Sequence, residues 1–250
     1  MPEPHPLELT GERTLPGIPR EAYWFARHLV AYQLAADLAR GARVIDIGCG
    51  EGYGSALLAG CAASVLGVDI APEVIEHARA RYTGSRLSFE VMDVCKLKLP
   101  SSSFEVAVSM QVVEHLQDVE RYFEEMLRVL VPGGLAVLTT PNRETISPGR
   151  NKPLNPFHFT EYTHQEFAAL LRRHFDRVEL SGVFHRGLLR LNDRLKVVDF
   201  IKFYEMGKFN PRYWTHRLLT PHIRSSNFRI DTARLDKCLD LVALCWAGAG

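Results

Sequence analysis

The chain has 250 residues, 46% of them hydrophobic, and a formal net charge of +1, which is enough for one sizeable core and too short for two ordinary domains. A balance so near neutral argues against tight nucleic-acid binding, which needs a concentrated basic face to displace counterions from phosphate. No apolar run reaches the roughly 18 residues of a membrane span, the start carries no basic-then-apolar leader, and the five cysteines lack paired zinc spacing. The expectation is a soluble protein of a reducing, cytoplasmic compartment that acts on a small or neutral partner molecule. A homodimer is the simplest assembly open to it.

Past a Pro-rich start, the stretch from Arg20 to Arg40 sets Phe25, Leu29, Tyr32 and Ala36 at helical spacing, which predicts an amphipathic helix. RVIDIGCGEGYG joins a short apolar run to a glycine-rich turn, and SALLAGCA continues it as a helix. SVLGVDI repeats the strand and APEVIEHARARY the helix, with Pro72 early, where a helix tolerates it. RLSFEVMDV, FEVAVSMQVV and GGLAVLTTP add three strands, and the helix VERYFEEMLRVL before the last of them stops at Pro132-Gly133-Gly134.

The irregular stretch NRETISPGRNKPLNPFHFTEYT is long enough to read as an active-site loop. THQEFAALLRRHF is then a helix, RVELSGVF a strand, and CLDLVALCWA a final strand expected at the sheet edge. Strand and helix in alternation predict an α/β fold, doubly wound around a mainly parallel seven-stranded sheet. Between the last two strands, His185 to Lys237 mixes Arg190, Arg194, Lys202, Lys208, Arg212 and Arg217 with Phe200, Phe203, Tyr204, Phe209, Tyr213 and Trp214. That composition predicts a helical cap that binds substrate. The organisation is then an N-terminal segment and closing helix over 1–40, an α/β core over 41–184, the cap over 185–237 and the last strand over 238–250.

The chemistry concentrates at the strand ends. Glycines in Asp46-Ile-Gly48-Cys-Gly50-Glu-Gly52 let backbone approach a ligand closely. The carboxylates of Asp46 and Glu51 in the same turn repel pyrophosphate and suit a ligand bearing an ammonium and a sulfonium. Asp69 ends the second strand about 20 residues on, where a carboxylate accepts both hydroxyls of a ribose. Asp93 ends the third and is placed to accept from an adenine amino group.

On these residues the chain resembles class I S-adenosylmethionine (SAM) dependent methyltransferases, through VIDIGCGEGYG, GVDI, VMDV and the EHL after strand four. The resemblance implies Asp46, Gly48, Gly50, Asp69 and Asp93 around SAM, with Gln111 near its methionine end. LTGERTLP, YWFARH, TPNRETISPGRNKPLNPFH and LDKCLDLVAL further resemble the actinobacterial enzymes that O-methylate sugars of methylmannose and methylglucose polysaccharides. The stretch from about Arg186 to Ile230 departs from that pattern. YWFARH would then help close the cofactor pocket through Tyr23, Arg27 and His28, or else be an ordinary core-facing helix.

Gln111, Glu114 and His115 lie just past strand four, at the edge where open α/β sheets keep their sites. They can hold a hard divalent cation such as Mg2+, or Glu114 and His115 can cap the following helix or line the substrate floor. A sugar hydroxyl is a poor nucleophile at neutral pH, so transfer calls for a base or a metal. His158, in the polar loop after strand five, is the expected base, with His115 its competitor. The expected function is methyl transfer from SAM to a hydroxyl of a sugar, glycoside or oligosaccharide. A quinone, phenol or other secondary metabolite is the alternative acceptor, and noncatalytic SAM binding and RNA methylation are the alternatives of other classes.

Overall fold

The computed structural model describes residues 14–150, 152–195 and 220–249. Eight strands form one sheet: β1 (Arg43–Ile47), β2 (Ser64–Asp69), β3 (Leu87–Val91), β4 (Phe104–Met110), β5 (Leu130–Pro141), β6 (Arg177–His185), β7 (Phe228–Asp231) and β8 (Asp240–Trp246). Their order is β3-β2-β1-β4-β5-β8-β6-β7. β1 to β5 are parallel, β8 runs antiparallel between β5 and β6, and β7 runs antiparallel outside β6. The order reverses between β1 and β4, and such a switch point opens a crevice at the carboxyl ends of the strands.

Both faces of the sheet are covered, which is why its strands read as nearly continuous apolar runs. Alternate residues of one strand serve opposite faces. Val44 packs with Tyr32 and Ala35 of α1 (Ala22–Leu38) and Leu58 of α2 (Tyr53–Ala59). Its neighbour Ile45 packs with Phe123 and Met126 of α4 (Val119–Val129) and Phe167 of α6 (His164–Leu171). Between them in the chain lie α3 (Pro72–Arg81) and the single turn α5 (Arg143–Ile146). Among the described residues, no helix is long and apolar enough to cross a membrane.

Two features differ from the sequence reading. The last strand is internal, not at the edge: Leu241, Val242, Ala243 and Cys245 are all fully buried. Its unbroken apolar run is the mark of a strand covered on both sides, and only an alternating run belongs at an edge. The sheet also has an eighth strand, β7, drawn from the stretch expected to be cap. Ile223 and Phe228 from its far end, and Leu189 from its near end, pack with Tyr23, Ala26, Val183 and Val242, so both ends of that stretch are built into the core. His185 itself closes β6, and Leu188–Leu195 forms α7. The aromatic and basic cluster from Phe200 to Arg217 lies outside the described residues, as do Asn151 and residues 1–13.

The first helix is fastened to the last strand. Arg27 donates from Nε and Nη2 to the two oxygens of Asp240, each at 2.5 Å, and from Nη2 to the Leu239 carbonyl at 2.9 Å. Both side chains are 2% exposed. A buried pair recovers its desolvation cost only with this kind of bidentate geometry. Leaving either partner alone strands a charge in the core.

Candidate active site

The glycine-rich turn after β1 is shaped by contact as much as by backbone freedom. Gly48 has φ +74°, and a Cβ there would lie 2.5 Å from Val112 Cγ2. At Gly54 a Cβ would come within 2.1 Å of the Tyr32 ring, so glycine is what lets α1 lie on α2. Beneath the turn, Asp46 is wholly buried and accepts from Ser55 Oγ at 2.6 Å and from the Tyr32 hydroxyl at 3.2 Å. Burial pushes its carboxyl up to about 7. Asp46 is therefore a strut joining α1, β1 and α2, and it is not on the cavity wall. Glu51 is turned toward α3, where its carboxylate accepts from the Tyr82 hydroxyl at 2.8 Å and pairs with Arg81 at 3.0 Å.

A cavity of about 320 Å³ opens at the switch point, and Gly48, Gly50, Asp69, Asp93, Gln111 and His115 stand on its walls. Asp69 is aimed by two backbone bonds, from Gly50 N to Oδ2 and from Ala71 N to Oδ1, both 3.0 Å. Each oxygen keeps acceptor capacity for a ligand hydroxyl. Asp93 is exposed, and its Oδ1 is held by Cys95 N at 2.9 Å. Gln111 has φ +59°, a left-handed conformation unusual for a residue with a Cβ and a known mark of functional positions. Its backbone N donates to the Thr139 carbonyl at 3.0 Å and its Nε2 to Thr139 Oγ1 at 3.0 Å.

Of the three candidates on α1, only His28 reaches this cavity. Burial holds its imidazole down to about 4, hence neutral at neutral pH. Tyr23 and Arg27 lie on another face of the helix. The Tyr23 hydroxyl bonds His185 Nε2 at 2.8 Å, and Arg27 is committed to Asp240. The spacing of YWFARH shows that these residues cannot all point one way, and nothing local says which face meets the ligand.

The histidines are organised by the loop after β5. Its carbonyl at Phe157 accepts from His115 Nδ1 at 3.0 Å, while Phe159 N and Thr160 N donate to the Glu114 carbonyl at 2.8 and 3.2 Å. His158 is clamped on both ring nitrogens. Asn155 Oδ1 accepts from Phe157 N, which fixes its amide, so Asn155 Nδ2 donates to His158 Nε2 at 3.0 Å. His158 Nδ1 then donates to Glu161 at 2.9 Å, and Glu161 also accepts from Ser147. The His158 side chain is only 5% exposed. His158 lies behind His115, ring edge to ring face at 4.9 Å and 85°, and does not reach the cavity wall. The wall position belongs to His115. Neither Asn155, Glu161 nor Ser147 carries a sequence signal beyond lying in the same polar loop.

Glu114, His115 and His158 each bring one ligand atom within 4.8 Å of the others. Two imidazoles and one carboxylate are a poor donor set for magnesium, which favours oxygen ligands, and His158 has both nitrogens engaged. In the expected Gln111, Glu114 and His115 site for Mg2+, Glu114 is fully buried against Thr140 and His115 Nδ1 is spent on the Phe157 carbonyl, a poor fit to an ion that keeps several waters.

Glu114 is fully buried, with Oε2 accepting from Thr140 Oγ1 at 3.0 Å and Oε1 without a partner. Burial pushes its carboxyl up to about 8. A raised carboxyl pKa means that the folded chain holds this proton more tightly than the unfolded one. Its contribution to stability is full below the ordinary carboxylate range and declines as pH rises toward 8, with a slope of up to about 1.4 kcal/mol per pH unit. Glu114→Gln, which cannot ionise, is expected to gain in melting temperature relative to the parent between pH 5 and pH 9. Parallel melting curves across that range would contradict the assignment.

An open doubly wound sheet with a glycine-rich turn, and with Asp69 and Asp93 on the cavity wall, is the arrangement of a nucleoside-binding α/β domain. Residues 45–138 match the family model described as a methyltransferase domain. The chain is 40% identical to a probable S-adenosylmethionine-dependent methyltransferase of Mycolicibacterium smegmatis, over 96% of this chain and 95% of that one. It is 32% identical to a ubiquinone biosynthesis O-methyltransferase of Xanthomonas oryzae, over 64% of this chain and 74% of that one. The fold is shared with a SAM-dependent methyltransferase of Thermotoga maritima described as a possible histamine N-methyltransferase, at TM-score 0.63 and 17% identity, over 90% of this chain and 93% of that one. The chain belongs to the S-adenosylmethionine-dependent methyltransferases.

Proposed function

We propose that this enzyme O-methylates a sugar or glycoside hydroxyl, with His115 as the general base. The observation that carries this reading is the fixed tautomer of His115. With Nδ1 donating to the Phe157 carbonyl, a neutral ring keeps its basic lone pair on Nε2, and the residue stands on the cavity wall. An alcohol needs such an acceptor for its proton as it becomes nucleophilic. In this reading Asp69 receives the ribose hydroxyls and Asp93 the adenine amino group. Gly48, Gly50 and Gln111 receive the methionine end, and Asp46 stiffens the turn from below. SAM, when bound, supplies the methyl group and a neutral thioether leaving group. The new bond joins the acceptor oxygen to that methyl, and the hydroxyl proton passes to His115. His158 is a positioning residue that holds the loop, and hence the Phe157 carbonyl, against His115.

The likeness to a ubiquinone O-methyltransferase supports the alternative of a phenolic acceptor. A panel of methyl glycosides and catechols incubated with enzyme and SAM separates the two by the mass and identity of the methylated product. Methylation of catechols alone would overturn the sugar reading. The presence of His115 on the wall counts against noncatalytic SAM binding, and the charge of +1 against RNA as the acceptor.

No magnesium takes part in this scheme. Turnover is expected to survive exhaustive chelation with EDTA, followed by a metal analysis of the protein. Loss of activity restored by Mg2+ alone would show that the donor set rearranges to hold it.

A further inference from the structure

The apolar run of β5 ends on two threonines. Ala136, Val137 and Leu138 are core, and Thr139 and Thr140 after them are just as deeply buried. A valine would fill either place with the same shape and no polar atom to satisfy, so two buried hydroxyls call for a reason. Both reach across to the chain that leaves β4, the neighbouring parallel strand. Thr140 Oγ1 donates to Glu114, and Thr139 serves Gln111.

Three bonds tie Gln111 to Thr139. The Thr139 carbonyl accepts from Gln111 N at 3.0 Å, and Thr139 Oγ1 accepts from the same N at 3.2 Å and from Gln111 Nε2 at 3.0 Å. These bonds hold a residue at φ +59°, a backbone conformation that persists only where its surroundings fix it. A hydroxyl oxygen has two acceptor sites, and here the backbone takes one and the side-chain amide the other. Nε2 therefore faces the strand, and Oε1 is the end of the amide left for the cavity wall, on which Gln111 stands. The reversed amide would turn a donor onto a cofactor that carries an ammonium and a sulfonium.

Gln111, Val112 and His115 form one stretch of that wall. A methyl group that is to be transferred must point toward His115, and the sulfur one bond behind it then falls on the part of the wall that Gln111 supplies. An amide oxygen there faces the positive charge of the sulfonium. It has no such partner in the neutral thioether that remains after transfer.

We propose that Thr139 is the positioning residue that turns Gln111 Oε1 onto the sulfonium, so that this wall favours SAM over its demethylated product, S-adenosylhomocysteine. The inference rests on the reading that Gln111 receives the methionine end of SAM, and it holds whatever the acceptor is.

Calorimetric titration with SAM and with S-adenosylhomocysteine tests it without turnover, because the two ligands differ only in the methyl group and its charge. In Thr139→Val, which keeps the shape and the carbonyl bond to Gln111 N, the Kd for SAM is expected to rise about tenfold, the equivalent of about 1.4 kcal/mol. The Kd for S-adenosylhomocysteine is expected to change less than about twofold, since the neutral thioether gains little from the amide oxygen. Thr139→Ser restores the hydroxyl and with it the parent's ratio of the two constants. Gln111→Gly removes the amide at a position where glycine relieves the backbone, and it is expected to lose the same preference while melting no lower than the parent. Equal losses for both ligands in Thr139→Val would make Thr139 a brace of the turn and no more, an unchanged ratio would detach it from the cofactor, and a larger loss for S-adenosylhomocysteine would mean a reversed amide. Each of these overturns the proposal and leaves the methionine-end reading standing. Unchanged binding of both ligands in Gln111→Gly overturns both.

Discussion

Replacing His115 with alanine is expected to lower kcat by about 10² to 10⁴, the range seen when a positioned base is removed, with the SAM dissociation constant unchanged. In the parent, activity falls on the acid side of its profile as the imidazole takes up a proton and can no longer accept one. The His115→Ala variant loses that limb. His158→Ala is the informative companion. Its ring nitrogens are spent on Asn155 and Glu161, so its loss loosens the loop, raises KM for the acceptor and lowers kcat by a smaller factor, with the acid limb still present. A His158→Ala enzyme that is dead with the limb abolished, beside a His115→Ala enzyme of near-normal turnover, would transfer the base to His158.

Asp69→Ala is expected to weaken SAM binding at least about tenfold, since charge-assisted hydrogen bonds are each worth about 1.5 to 3 kcal/mol. Two things are lost together: the acceptors for the ribose, and the anchor that ties Gly50 N and Ala71 N to one carboxylate. Asp69→Asn separates them, because an amide can still accept one of the backbone bonds while losing the charge. Calorimetric titration with SAM measures both. An unchanged dissociation constant in a folded Asp69→Ala protein would remove Asp69 from the ribose.

Most of the frame of this site is legible in the sequence, because the glycine turn and the acidic strand ends are local patterns. Gly48, Gly50, Asp69, Asp93 and Gln111 all reach the cavity wall, each within three residues of a strand's carboxyl end. Asp46 shares their pattern and still lies underneath, since its depth depends on Tyr32 and Ser55, and no spacing announces the first of these. The order of the two histidines along the chain gives no hint of which stands in front. That is decided by Asn155 and Glu161 closing on His158 from both sides, a matter of three-dimensional bonding within one loop. The placement of β8 was open to a closer reading of its apolar run. β7 was not, because four residues, Phe228–Asp231, carry too short a period to stand out from an irregular segment.

The pairing of Arg27 with Asp240 has a consequence for how the enzyme comes into being. A nascent chain lengthens from its amino end, and domains fold as their segments emerge. Here the sheet's gap between β5 and β6 waits for β8, the last strand, and the helix that carries His28 and Tyr32 waits for the same strand to receive its arginine. Until β8 has been made, the chain carries an unpaired guanidinium and a divided sheet. The wall of the cavity that α1 supplies therefore waits on a strand more than 200 residues further along the chain.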